Sequence, residues 1–264
     1  MRSRIVTALV LGGVATAIVL WLPTWALALV LGLVWLAGAH EWTRLAVDAR
    51  IPPLVYVAAV GILMLVSGAL LDSMGAMLVA YAAAAWWAVA LALLWLYPRG
   101  LTPAIVAVAG PLTLIPSWLL ICHVHGLGPQ GPALALSLFA IVWAADVGAY
   151  LVGRRIGRVK LAPLVSPGKT WEGVAGGAVS AALAASVAAV VLRAEIVSFV
   201  LVAVAAMLVS VIGDLTVSMF KRNVGVKDSG QVLPGHGGIL DRIDSLSAAA
   251  PFFFLGLHLA GLQI

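Results

Sequence analysis

Nine apolar segments dominate the chain, and their length limits what it can fold into more than any other feature. Each is roughly twenty residues long, the length that an α-helix needs to cross a hydrocarbon layer of about 30 Å. Strands of a membrane barrel are about half as long and alternate in polarity. Only 9% of the residues are charged, whereas soluble domains hold about a quarter. The sequence predicts an all-α, polytopic helical bundle in a membrane, with about nine transmembrane helices at 5–22, 25–40, 53–71, 76–97, 103–122, 132–152, 174–192, 196–220 and 245–262.

The basic residues indicate how these segments are oriented. If the N-terminus is cytoplasmic and the segments alternate in direction, every Lys and Arg except Arg193 falls on the cytoplasmic side, as the positive-inside rule requires. The first segment is longer than the apolar core of a signal peptide and a second follows at once, so we expect an uncleaved helix. Because the positive charges lie between apolar segments, we expect them to meet lipid headgroups, and we expect no nucleic-acid partner.

Two long connections on the predicted cytoplasmic side, 153–173 and 221–244, carry most of the polar residues. We therefore expect residues 131–264 to form the catalytic part, and residues 1–130 to provide scaffold, lipid access and contacts of a dimer. Gly173 and Gly177 form a GxxxG pair that allows close helix approach. That pair serves either packing within the bundle or a dimer contact.

Several residues outside the two connections have structural explanations. Pro111 and Pro116 should kink the fifth helix, which a bundle tolerates if neighbouring groups bond the freed carbonyls. We expect His40 and Glu41 to anchor and pair helices rather than bind a ligand, and the second helix to continue through Trp42. His123 and His125 fall on the far side of the membrane from the polar connections.

Acidic residues in the last third of the chain indicate a metal site. Asp214 lies inside an apolar segment, where an ionisable residue is costly and usually functional. Ser218 and Lys221 share its helix face. Asp241 and Asp244 are spaced to lie one above the other on a helix. Three such carboxylates would supply the hard oxygen ligands that Mg²⁺ prefers, together with water and substrate phosphate.

Basic residues and glycines around these aspartates suit the binding of phosphate groups. Lys221, Arg222, Lys227 and Arg242 could neutralise a triphosphate and a lipid phosphate. The run from Gly235 to Gly238 can present backbone N–H groups to an anion. Arg222 and Lys227, taken alone, also fit a solvated loop. His236 is either an acid/base group or a hydrogen-bonding residue of the loop.

A second polar group lies farther upstream. Asp146 is either a metal or cation ligand, or the partner of Lys169 or an arginine. Lys169 and Thr170 precede the seventh segment, where they either contact nucleotide or lipid phosphate or only begin the helix. In the latter case Ser166 and Thr170 would cap it, and Glu172 would favour the positive end of its dipole.

One long stretch of the chain resembles a known family. It reads Ser218-x-Phe220-Lys221-Arg222-x4-Lys227-Asp228-x-Gly230-x2-Leu233-Pro234-x-His236-Gly237-Gly238-Ile239-x-Asp241-Arg242-Ile243-Asp244. It resembles the signature of the CDP-diacylglycerol synthases, also called phosphatidate cytidylyltransferases. A looser likeness covers Trp143-x-x-Asp146-x-x-Ala149-Tyr150-x-x-Gly153 and Ser166-Pro167-x-Lys169-Thr170-Trp171-Glu172-Gly173. The N-terminal half shares mainly its hydropathy with that family.

The resemblance implies a reaction in which CTP and phosphatidate give CDP-diacylglycerol and diphosphate. It also implies Mg²⁺, with or without a second cation, a homodimer among membrane lipids, and a cytoplasm-facing site in a bacterial inner membrane. The predicted catalytic residues are Asp214, Asp241, Asp244, Lys221 and His236. The predicted metal ligands are Asp214, Asp241, Asp244 and Asp146. The predicted substrate-binding residues are Ser218, Arg222, Lys227, Asp228, Gly237, Gly238, Arg242, Lys169 and Thr170.

Three other functions fit parts of this pattern. CTP-dependent polyprenol or phytol kinases have similar hydropathy and differ in the acceptor. A CDP-alcohol phosphotransferase would need an Asp-Gly-x2-Ala-Arg motif, which the sequence lacks. A lipid transporter or scramblase would explain the apolar segments but does not require the dense polar connection after the eighth.

Overall fold

The computed structural model describes residues 2–46, 51–230 and 237–262, with side chains from residue 12 onward. Within those ranges it contains helices close to all nine apolar segments, and two short strands. In chain order the elements are α1 (Arg2–Trp21), α2 (Thr24–Trp42), α3 (Pro53–Leu70), α4 (Ser73–Leu96), α5 (Pro103–His125), α6 (Gly131–Ile156), β1 (Lys160–Ala162), β2 (Ser166–Thr170), α7 (Trp171–Leu192), α8 (Ile196–Asn223) and α9 (Leu240–Leu259).

Seven of the described helices, α2 to α8, are long and apolar enough to cross a membrane. The chain is therefore a mostly helical protein of the integral membrane type. Nine membrane-spanning helices are not confirmed among the described residues. The apolar part of α1, Gly12–Trp21, is too short, and α9 is not apolar enough over the length that a membrane requires. The cytoplasmic N-terminus stays a prediction.

Helix α9 is the most enclosed part of the bundle, which explains its lower hydropathy. It packs against α2, α4, α5, α6 and α8, and nearly all residues from Ile243 to Leu257 are buried. A helix that faces protein on most sides does not need the lipid-facing apolar surface of an outer helix. Its position also places the acidic residues of its first turns, Asp241 and Asp244, against α8.

Contacts between connections show which of them share an end of the bundle. Glu41, at the end of α2, bonds to residues of the connection between α8 and α9. Arg222, at the end of α8, bonds to Val165 in the connection between α6 and α7. The last residue of α5, His125, bonds to Val19 near the end of α1 and to Thr24 at the start of α2, so these helix ends also share one side. This pairing agrees with the alternation predicted from the basic residues.

Helices α6 and α7 approach closely along a line of glycines. A Cβ added at Gly173 would lie 3.0 Å from the carbonyl oxygen of Ala149. One added at Gly177 would lie 3.0 Å from the carbonyl oxygen of Ala145. Both of those carbonyls belong to α6, so the GxxxG pair packs within the bundle, which is the first of its two predicted uses.

Helix α5 contains two prolines and remains helical through both. Pro111 cannot donate a hydrogen bond to Ala107, four residues earlier. The hydroxyl of Tyr56, from α3, donates to that carbonyl at 2.8 Å instead. The condition under which a bundle tolerates such a proline, a neighbouring group that bonds the freed carbonyl, is met at this position.

The connection between α6 and α7 holds an antiparallel hairpin that the all-α expectation missed. Strands β1 and β2 pair with Lys160 opposite Thr170 and Ala162 opposite Ser166. The hairpin is short and contains Pro163, Pro167 and Gly168, so the sequence lacks the alternation that usually marks strands. Its backbone pairing satisfies polar groups next to the apolar bundle, where unpaired ones would be costly.

Candidate active site

A cavity of about 540 Å³ lies between α6, α7, α8 and the strand β2. Its polar lining includes Asp146 from α6, Lys169 from β2 and Asp214 from α8. The apolar lining comes from residues such as Ala149, Val174, Met207 and Val211. Charged side chains from three separate elements therefore meet in one space within the C-terminal half.

An ion pair crosses this cavity. The ammonium group of Lys169 lies 2.6 Å from Oδ2 of Asp214, and both side chains are roughly one-third exposed, at 27% and 30%. The hydroxyl of Ser218 donates to Oδ1 of Asp214 at 3.3 Å. The predicted common face of Asp214 and Ser218 is confirmed. Hairpin β1–β2 explains how Lys169, 45 positions earlier in the chain, reaches α8.

Two further carboxylates, Asp146 and Asp244, each interact electrostatically with Asp214 of this pair. Asp146 interacts electrostatically with Asp214, Lys169 and Arg242. Asp244, only 6% exposed, interacts with Asp214 and Lys169 and accepts a hydrogen bond from the N–H of Ser245. Lys169 therefore binds Asp214 directly and reaches Asp146 only by longer-range interaction, so the alternative that paired Asp146 with Lys169 is not the arrangement observed.

The chemistry of these groups suits a divalent cation. Asp146, Asp214 and Asp244 bring more negative charge than Lys169 balances, all of it on hard oxygen atoms. Within the described ranges no three Asp, Glu, His or Cys residues converge as a preformed metal cage. Mg²⁺ is commonly held by one or two carboxylates, with water and substrate phosphate completing its shell. The residues present fit that kind of site, and the metal assignment stays a prediction.

Asp241 has a different set of partners. Its Oδ1 accepts a hydrogen bond from Lys221 at 2.5 Å, and its Oδ2 accepts from the N–H groups of Ser229 and Gly238 at 3.1 Å each. Asp241 lies in the first turn of α9, outside the seven apolar helices. Burial alone would raise the pKa of Asp241, but Lys221 and the two N–H groups outweigh it and hold that pKa below its usual range. The Asp241 carboxylate therefore joins the end of α8 to the two described ends of the connection between α8 and α9.

The other predicted phosphate-binding residues surround this connection. Arg222 donates to the carbonyls of Val165 and Val226 and so ties the hairpin to the end of α8. Lys227 and Asp228 are exposed. Gly237 has a φ of 80°, which only glycine adopts readily. Arg242 is exposed and interacts electrostatically with Asp146. His236 lies outside the described residues.

The start of α7 combines a structural role with a place in the cavity. Thr170 is the N-cap residue, and its hydroxyl accepts from the N–H of Gly173 at 3.1 Å, as the capping alternative predicted. Ser166 instead begins β2. Glu172 accepts from the N–H of Val159, ahead of β1. Thr170 also lines the cavity, so its contact with substrate stays a prediction.

Three residues that support or line this region were not predicted as site residues. Tyr150 and Arg154 line the cavity and are joined by a hydrogen bond of 2.9 Å. Glu41 is 1% exposed and bonds to the connection before α9. The expected helix-pairing role of Glu41 is confirmed. The sequence showed that Glu41 is a carboxylate at the end of an apolar helix, which could have indicated a functional role. It did not show which residues Glu41 binds.

Comparisons with known proteins connect this arrangement to one family. A sequence model of the Cytidylyltransferase family matches residues 2–260. The chain belongs to the cytidylyltransferase family. The match spans both the carboxylate-lined cavity and the N-terminal helices of this cytidylyltransferase, and so agrees with the resemblance found in its polar segments.

Three similar proteins are each named phosphatidate cytidylyltransferase. The one from Haemophilus influenzae is 39% identical to this cytidylyltransferase over 282 residues, covering 96% of this chain and 97% of that protein. The one from Pseudomonas aeruginosa is 41% identical over 276 residues, covering 99% and 98%. The one from Brucella suis is 38% identical over 273 residues, covering 97% and 92%.

Proposed function

We propose that the chain is a phosphatidate cytidylyltransferase, which converts CTP and phosphatidate into CDP-diacylglycerol and diphosphate for phospholipid synthesis. The observation that carries this proposal is the similarity to enzymes of that name along nearly the full length of both chains. The cavity agrees with it, because a polar space between apolar helices can receive one water-soluble and one membrane-bound substrate.

We propose Asp214 as the central metal ligand, with Asp146 and Asp244 as its neighbours. The electrostatic interaction of each neighbour with Asp214 supports this choice. Mg²⁺, with or without a second cation, would neutralise the negative charge that develops on the departing diphosphate. Asp241, the fourth predicted ligand, belongs to the same proposal, although its two oxygens already accept bonds from Lys221 and two N–H groups. A carboxylate has further lone pairs for a cation.

The basic residues bind and orient the phosphate groups in this proposal. Lys169, already at the cavity, and Lys221, at the connection before α9, can exchange a carboxylate partner for a phosphate. Arg242, Lys227 and Arg222 add positive charge at the same end of the bundle. An oxygen of the lipid phosphate forms a bond to the α-phosphorus of CTP. The bond from that phosphorus to the β-phosphate oxygen breaks, and diphosphate leaves with the electron pair.

No strong general base is required for this step, because the lipid phosphate is already anionic near neutral pH. Holding two anions in line and neutralising their charge is then the main task of the protein. His236 would act either as an acid/base group or as a hydrogen-bonding residue of its loop.

The orientation and assembly belong to the same proposal. The connections that carry the site lie at one end of the bundle, together with most of the described basic residues, and we propose that this end faces the cytoplasm of a bacterial cell. The protein would act as a homodimer in the inner membrane, with residues 1–130 as scaffold, lipid entrance and dimer surface.

A labelled-substrate assay tests the proposed function. Purified protein in mixed micelles receives phosphatidate, Mg²⁺ and CTP labelled in the cytidine, and the label in the organic phase is measured. Transfer by the unaltered protein that is lost in Asp214→Asn supports the reaction and the metal role together. If phosphatidate accepts no label, the proposal fails, and CTP labelled in its γ-phosphate with isoprenoid alcohols then tests for a lipid kinase.

A further inference from the structure

Glu41 is a buried carboxylate that belongs to the N-terminal half but binds the segment next to the candidate site. Its Oε2 accepts hydrogen bonds from the hydroxyl of Ser229 at 2.8 Å and the N–H of Leu240 at 2.9 Å. Its Oε1 accepts from the N–H of Ile239 at 3.0 Å. Because Glu41 is only 1% exposed, water cannot readily replace these hydrogen bonds if they are lost.

The local sequence of α9 lacks the residue that usually makes such bonds. Ile239 occupies the N-cap position and has no side-chain acceptor. Helix N-termini normally obtain one from a nearby Ser, Thr, Asp or Asn. Glu41 supplies the acceptor from another helix, and its negative charge also favours the positive end of the α9 dipole.

Two glycines leave room for the Glu41 carboxylate. A Cβ added at Gly230 or at Gly238 would collide with its oxygens. Gly230 follows Ser229, and Gly238 precedes Ile239, so the carboxylate lies between the two described ends of the connection. Neither position has the positive φ that would by itself require glycine. Close approach to Glu41 therefore explains Gly230, and close approach to Glu41 and to the hydroxyl of Ser229 together explains Gly238.

The same two ends also bind Asp241, through the N–H groups of Ser229 and Gly238. Glu41 and Asp241 thus bind the same two described ends of the connection between α8 and α9, and Asp241 in turn binds Lys221. A change at Glu41 is transmitted directly to the groups that fix Asp241. We infer that Glu41 is a positioning residue of this enzyme, which sets the geometry of Asp241 and Lys221 by fixing the start of α9. This inference rests on the proposed function only for its effect on turnover.

A carboxylate is the side chain that this position requires. All three groups that face Glu41 act as donors in the structure, and two of them are backbone N–H groups that cannot become acceptors. A Gln side chain would turn its own NH₂ group toward at least one of these donors. Glu41→Gln should therefore disrupt the site despite its nearly identical shape, whereas Glu41→Asp keeps the charge and only shortens the reach.

The test uses the full-length chain and a matched control. Glu195 also caps a helix through its carboxylate, bonding the N–H groups of Val197 and Ser198. It begins α8, whereas Asp214 lies 19 residues later on the same helix, about 28 Å away at 1.5 Å per residue. Glu195→Gln therefore removes the same kind of cap far from the site.

Two readouts are compared for Glu41→Gln, Glu41→Asp and Glu195→Gln. We expect Glu41→Gln to lower kcat by about tenfold, as the loss of a charged hydrogen-bond group suggests, with KM for phosphatidate nearly unchanged. Trypsin should cleave faster after Lys227, which is exposed two residues before Ser229. Glu41→Asp should recover part of both properties, and Glu195→Gln should change neither.

Wild-type kcat and cleavage rate in Glu41→Gln would overturn the inference, and so would equal effects of Glu41→Gln and Glu195→Gln. If Glu41→Gln cannot be purified, Ser229→Ala takes its place, because it removes one of the three bonds; faster cleavage then supports the inference and an unchanged rate overturns it. If the unaltered protein transfers no cytidylyl group, the proposed function fails, while the trypsin comparison still decides the role of Glu41.

Discussion

Replacing Asp241 by Asn removes one partner of a nearly buried ion pair. The side chains of Lys221 and Asp241 are only 9% and 14% exposed, so water can compensate little for the lost charge. Breaking such a pair by removing one partner costs about 3–5 kcal/mol, because the other charge stays buried alone. At the roughly 2–4 °C per kcal/mol of soluble domains, the apparent Tm in detergent should fall by about 6–20 °C.

A double variant separates this loss of stability from a loss of chemistry. Lys221→Met combined with Asp241→Asn leaves no unpaired charge, and replacement of a buried pair by neutral groups is often close to neutral in stability. Its apparent Tm should therefore return to within a few degrees of the unaltered protein. Cytidylyl transfer should remain lost, because both residues are placed at the phosphates or the metal.

The measurements are thermal unfolding in detergent and label transfer from CTP to phosphatidate for both variants. An unchanged Tm in Asp241→Asn would refute the argument from burial. Full transfer by the double variant would refute the placement of Lys221 and Asp241 in the reaction and leave them a structural role.

Three further predictions use single substitutions. Gly148→Ala would place a Cβ 2.8 Å from a backbone carbonyl of α7 and should lower the apparent Tm by several degrees, whereas Gly13→Ala, with nothing within 4 Å, should not. Tyr56→Phe leaves the carbonyl freed by a proline without its donor and should cost about 1–3 kcal/mol in unfolding scans, whereas Tyr81→Phe at an exposed site should cost almost nothing. Lys169→Ala should lower kcat/KM by about a hundredfold, in keeping with the loss of a group that neutralises charge; an unchanged kcat/KM, with unchanged apparent affinities for CTP and phosphatidate, would favour a structural role.

Local patterns in the sequence predicted much of the fold. The apolar segments gave helices at nearly the observed positions, because hydropathy over twenty residues is a strong signal. The common face of Asp214 and Ser218 followed from helical spacing. Thr170 was identified as a possible cap because its residue type and position match those of helix N-termini.

Long-range pairings could not be predicted in the same way. Lys169 was assigned to the site, but nothing local shows that it binds Asp214 across a hairpin. Asp241 was predicted to be a metal ligand together with Asp214. In the structure its carboxylate accepts hydrogen bonds from Lys221 and two backbone N–H groups, which the sequence did not predict. These choices depend on how helices and connections pack, which residue spacing along one element does not encode.

The contact between Glu41 and the start of α9 also bears on how the protein is made. Glu41 and Ile239 are 198 positions apart in the chain, so the ribosome must synthesise α3 to α8 before the two can meet. Until α9 is made, Glu41 on α2 lacks the two N–H donors that it binds at the start of that helix. Synthesis that stops after α8 would therefore leave Glu41 without these partners, and the arrangement of Asp241 and Lys221 would form only in chains in which α9 has been inserted.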